Sequence, residues 1–130
     1  MIGFIRVLLV VEAATFLVAS LLHLGALRPL ATALGEPVIP QAGIPEGVIG
    51  LVLVIGAVAA FSGRVGGRRT FVATQAFALL GTLVGMFALA SGAAPRTDAN
   101  DLYHRAILVA LVVTLVLSVL PGRRASPAHS

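Results

Sequence analysis

Three side chains of ligating type stand where long apolar runs begin or end: His23, Glu46 and His104. Two imidazoles and a carboxylate are a donor set for zinc, iron or copper, and Met86, at a similar depth, would favour Cu(I). The two histidines could also hold a haem axially. The same groups, with Gln41 and Tyr103 close by in sequence, could instead bond the polar head of a quinone or lipid. No local metal spacing such as H-E-x-x-H narrows the choice. Each member also has a plainer reading. His23 could bond a loop carbonyl, Glu46 could complement a helix N-terminus, Met86 could be packing, and His104 an ordinary boundary residue. Asp101 reads as a cap or first-turn acid with Arg105 as its partner.

A second polar position is Glu12, in the stretch "LVVEAATFLVASLLHLG". It lies near the middle of its run, where a charge costs about 2.5–3.5 kcal/mol on insertion scales. It is therefore expected to be neutral, paired or turned to a wet interior. Eleven residues separate it from His23, three helical turns and about 16 Å along the axis. The two share a face but cannot form one site. Gln75 and Thr82, which share a face with Met86, bracket the depth of Glu12. A bond from Glu12 to Gln75 or Thr82 is one expectation; a proton-handling acid is the other.

These residues need a scaffold, and composition indicates which kind. The 130-residue chain is 58% hydrophobic and 11% charged, against about 25% charged in an average soluble protein. An integral membrane protein of one transmembrane domain is expected. There is no cysteine, so thiolate sites and disulfides are excluded. All nine basic residues are arginine. They cluster at the ends of runs, which suits membrane anchoring and not nucleic acid.

Four apolar runs read as helices over about 4–27, 45–62, 71–90 and 102–120, followed by a polar tail over 121–130. Crossing the hydrocarbon takes roughly 20 residues. The second and fourth runs reach that length only with their polar first turns, which places Glu46 and His104 at the membrane boundary. The first run is longer than the roughly 7–15 residues of a signal core and holds Arg6 inside it, so a retained helix is expected. The stretch "LRPLATALGEPVIPQAGIP" contains four of the seven prolines and reads as a long loop. Arg6, Arg64, Arg68, Arg69, Arg123 and Arg124 fall on one side, and Arg28, Arg96 and Arg105 on the other. The positive-inside rule then puts both termini in the cytoplasm. The expected fold is an all-α antiparallel four-helix bundle, N-in/C-in, in the bacterial cytoplasmic membrane. Its polar layer at His23, Glu46 and His104 would face outward. The small residues Gly81 and Gly85 of "GTLVG" suit close helix packing, within the chain or across a homodimer.

The segments "RVLLVVEAATFLVASLLHLG" and "PEGVIGLVLVIGAVAAFSGR" resemble the DoxX-like small four-span bacterial membrane proteins over about two-thirds of the chain. On that resemblance Glu46 and Arg64 match recurring positions, and a link to membrane redox complexes and quinol chemistry is implied. The later stretch "QAFALLGTLVGMFALASGAAPRTDANDLYHRAILVALV" is similar to uncharacterised actinobacterial membrane proteins, which implies no activity. The small multidrug resistance family is similar in having four short helices and a glutamate in the first, here Glu12. The long first loop, and the absence from the middle helices of the aromatic residues that line such a drug site, depart from it.

Three functions follow. The first is a membrane protein that binds a metal, haem, quinone or lipid head group at the outer layer, accessory to redox chemistry. The second is a proton-coupled transporter using Glu12, and the third a non-catalytic subunit of a larger membrane complex. An enzyme acting alone is disfavoured, because no nucleophile elbow or phosphate-binding glycine loop is present. "GRVGGRR" joins two apolar runs and follows no strand.

Overall fold

The computed structural model describes residues 2–120; the tail, with Arg123, Arg124 and His129, lies outside the described residues. The chain is all-helical: α1 (Ile2–His23), α2 (Arg28–Leu34), α3 (Pro40–Ser62), α4 (Gly67–Ala90) and α5 (Asp98–Val119). All but α2 are long and apolar enough to cross a membrane. They close into a ring in which α1 meets α3, α3 meets α4, α4 meets α5 and α5 returns to α1.

The helix starts differ from the sequence expectation. The long first loop contains a helix, α2, which Pro29 opens and Gly35 stops in a left-handed conformation at φ 67°. A fixed proline φ suits a first turn, and glycine suits the C′ position. Helix α3 begins at Pro40, five residues before the expected start, for the same reason, and carries Pro45 inside it. Helix α5 begins at Asp98 because Thr97 caps it: the Thr97 side chain accepts from the Asn100 N–H at 3.1 Å.

The interior is narrow and built on close approach. Only 22–33% of the residues in each span are buried. Val7, Leu51, Leu80 and Val109 point outward, so the outer surface is apolar and suits lipid. Inside, Phe16, Leu53, Ala78 and Leu111 form one cluster, and Leu9, Ala57 and Phe71 belong to a second. Glycines on α3 let its neighbours in. A Cβ at Gly50 would stand 2.8 Å from Leu17 on α1, and one at Gly56 would stand 2.0 Å from Thr74 Oγ1 on α4. The glycines of α4 also face inward: a Cβ at Gly81 would meet Ile49 at 2.6 Å, and one at Gly85 would meet His104 at 3.4 Å.

Arginines tie helix ends together. Arg6, on the first turns of α1, donates Nε and Nη2 to the Ala60 carbonyl near the end of α3, at 3.2 and 3.1 Å. Arg68, at the start of α4, does the same to the Ser118 carbonyl near the end of α5, at 2.9 and 2.8 Å. The last carbonyls of a helix have no intrahelical donor and carry partial negative charge, so a guanidinium fork serves both needs. Arg6 also lies 5.0 Å from the Phe61 ring centroid, a cation–π distance.

Candidate functional site

The polar residues assemble at two depths. The deeper group centres on Glu12, which has no exposed surface. Gln75 Nε2 donates to Glu12 Oε2 at 2.6 Å, and Thr114 Oγ1 donates to Oε1 at 2.6 Å. Both oxygens are therefore held by neutral groups from two other helices. Gln75 stands where depth along α4 placed it. Thr82 does not join; its hydroxyl donates to the Ala78 carbonyl of its own helix. Thr114 was missed because the rotation of α5 about its axis could not be read from the sequence. The group is a three-helix staple, and none of the cavities described below reaches Glu12.

The second group lies at the other end of α1, opposite the Arg6 contact. His23 Nδ1 is 2.6 Å from Glu46 Oε2 on α3, and its Nε2 is 3.6 Å from Glu36 Oε2 in the connection after α2. Glu36 Oε1 in turn accepts from the Thr97 hydroxyl at the cap of α5. Ser20, one turn before His23, donates to the Gly43 carbonyl at 2.7 Å. The Ile39 N–H donates to the His23 carbonyl at 2.8 Å. Four segments are thus joined through one buried imidazole. Glu36 is not among the residues that the sequence singles out. Its approach depends on how α2 folds the loop back, and no residue spacing signals that.

The wall shared by α3, α4 and α5 encloses a cleft of about 620 Å³. Its apolar lining includes Phe16, Val38, Ile49, Val84 and Leu89. Polar residues in the lining are Gln41, Glu46, Thr82, Asn100 and His104. His104 Nδ1 donates to the Asn100 carbonyl at 2.9 Å, which fixes the ring and leaves Nε2 as its other polar atom. Gly85 leaves space beside that nitrogen. Glu46 is 6% exposed and Asn100 5%, yet Glu46 Oε1 and Asn100 Oδ1 have no hydrogen-bond partner. Both residues line the cleft, and buried polar atoms are nearly always paired, so each of these two orphans could take a partner.

The other expected site residues take different positions. Met86 lines a smaller hollow outside the cleft, with Arg96, Asp101 and His104. Asp101 pairs with Arg96 (Nε to Oδ1, 3.3 Å) and not with Arg105. The bond to Asp101 holds the Arg96 guanidinium above its ordinary pKa. Tyr103 packs edge-on against Phe16 and His104. Its hydroxyl is buried without a partner, and its side chain lines a cavity of about 190 Å³ with His23, Glu36 and Asn100.

The metal set expected at His23, Glu46 and His104 is not assembled. Both ring nitrogens of His23 face carboxylates, and among the described residues no group of three or more His, Cys, Asp or Glu side chains is placed to hold a metal ion. His23 Nδ1 is bonded to Glu46, and its Nε2 faces Glu36 beyond hydrogen-bond reach. What remains is an apolar cleft with a buried polar end, the usual form of a site for a small amphipathic molecule. Compared with known proteins, the chain matches no protein-family model, no curated protein and no solved structure.

Proposed function

We propose that this chain is a small binding protein of the bacterial cytoplasmic membrane. It holds the polar head of a lipid-soluble molecule, of quinone or lipid type, in the cleft between α3, α4 and α5. The observation that carries the reading is the pair of orphaned, buried acceptors, Glu46 Oε1 and Asn100 Oδ1, in the wall of an otherwise apolar cleft. The bonds that join opposite helix ends, Arg6 to Ala60 at one and His23 to Glu46 at the other, support an antiparallel bundle. The arginine-rich end would then lie in the cytoplasm with both termini, and the cleft would open near the outer surface. A role beside a membrane redox complex is what the DoxX resemblance adds.

Binding here needs no chemistry by the protein. The cleft would take the ring or chain of the ligand out of lipid, and the polar wall would fix its head. Glu12 belongs to the scaffold in this reading, since both its oxygens are bonded and none of the cavities described above reaches it. The test is saturable binding of a tritiated alkyl-phenol probe to the protein in phosphatidylcholine nanodiscs. Wild type should bind one probe per chain. Gly85→Leu, whose side chain fills the space beside His104, should lose that binding while keeping its helical circular dichroism. Probe uptake that only follows lipid content, in both proteins alike, would defeat the proposal.

A further inference from the structure

We infer that the cleft selects a ligand that donates hydrogen bonds: a lipid-soluble molecule whose polar end is a hydroxyl group, not a carbonyl or ether. This rests on the binding reading above and adds the chemical class of the head.

Apart from the Asn100 amide nitrogen, the polar atoms offered by the buried end of the cleft are acceptors. Glu46 uses Oε2 for the 2.6 Å bond to His23 Nδ1. Whichever of the two atoms holds the hydrogen of that bond, it lies on the Oε2 side. Glu46 Oε1 is therefore left with lone pairs and no hydrogen. His104 gives its Nδ1 hydrogen to the Asn100 carbonyl, which can only accept. In the neutral ring Nε2 is then an acceptor too. Thr82 has given its hydroxyl hydrogen to the Ala78 carbonyl and offers only lone pairs. Asn100 Oδ1 is a further acceptor, buried without a partner. The donors in the wall are the amide groups of Asn100 and of Gln41, the latter at the exposed rim.

A carbonyl or ether oxygen placed against Glu46 Oε1 and His104 Nε2 sets lone pairs against lone pairs and leaves both protein atoms unpaired. A hydroxyl satisfies one of them directly. Sites built to bond a substrate hydroxyl reject analogues that lack it, because their own polar groups are left unpaired. With hydrogen bonds of ordinary strength, the discrimination here should be about ten- to a hundred-fold in Kd. Two sources could supply such a head, a phenolic ring or an aliphatic lipid alcohol.

Four probes with the same alkyl tail separate the outcomes in nanodiscs of wild-type protein: a phenol, its methyl ether, a primary alcohol and the matched methyl ketone. The inference expects the phenol or the alcohol to bind at least tenfold more tightly than the ether and the ketone. The stronger of the two hydroxyl probes identifies the source. Equal binding of all four overturns the donor inference and leaves the binding reading standing. Saturable binding of none overturns both. Glu46→Gln adds an independent readout. Its amide oxygen can accept from His23 Nδ1, which turns the NH2 group into the cleft. The order of ketone and hydroxyl probes should then draw level or invert, and an unchanged order in a folded variant counts against the assignment to Glu46.

Discussion

Replacing Gln75 by leucine removes one of the two donors that hold Glu12 across the bundle. Glu12 Oε2 would be left without its 2.6 Å bond in a position with no exposed surface. An unpaired buried acceptor costs about 1–3 kcal/mol. Two facts pull the figure down. Interhelical hydrogen bonds in membrane proteins average only about 0.6 kcal/mol, with a maximum of about 1.7. Gln75 Oε1 is itself buried without a partner, so the leucine also removes an orphan. The expected loss is about 1 kcal/mol, roughly a fivefold shift toward the unfolded state. Reversible unfolding in mixed micelles, followed by circular dichroism, measures it. The triple change Glu12→Leu, Gln75→Leu, Thr114→Val replaces every member of the staple with an apolar side chain of similar size. It should recover most of the loss, since removing both partners of a buried bond can be nearly neutral. A triple variant less stable than Gln75→Leu alone would refute the idea that these residues serve only to satisfy one another.

Three further expectations follow from the same geometry. His23→Ala leaves the buried carboxylates of Glu46 and Glu36 without the imidazole between them. Breaking a buried pair in this way costs about 3–5 kcal/mol, and unfolding within 1 kcal/mol of wild type would speak against the joint. Gly56→Ala drives a Cβ to 2.0 Å from Thr74 Oγ1 and should cost about 1–3 kcal/mol as an overpacking change. Thr74→Ala in the same chain should return part of that, and an additive double variant would contradict the contact. Thr97→Val removes the cap of α5 and the bond to Glu36. It should cost about 1 kcal/mol and speed amide exchange at residues 98–101, whereas Thr97→Ser should change little.

The spans were legible because apolar runs of membrane length have no other use, and the breakers between them are glycine, proline and arginine. Their starts were less so. Pro40 and Thr97 begin helices before the apolar residues do, so hydropathy places both starts too late. Helix α2 lay hidden in a proline-rich loop because proline both breaks a helix and opens one. Depth along a helix follows from residue number, which is why Gln75 could be matched to Glu12 and Glu46 to His23. Rotation about the axis does not follow from it. That is why Thr114 was missed and why His104, though at the right depth, turns to the cleft and to Asn100 and does not join His23. Glu36 depends on the path of a loop, which no periodicity describes.

The polar-ended cleft is proposed to hold a ligand head. Photolabelling in nanodiscs tests it most directly, with a hydroxyl-headed alkyl probe that carries a diazirine beside its head, followed by mass spectrometry of the peptides. Saturable labelling is expected on the cleft wall, at residues 37–49 and 81–89, suppressed by an excess of unlabelled probe. Labelling spread over the outward-facing positions Val7, Leu51, Leu80 and Val109, unaffected by competitor, would contradict it.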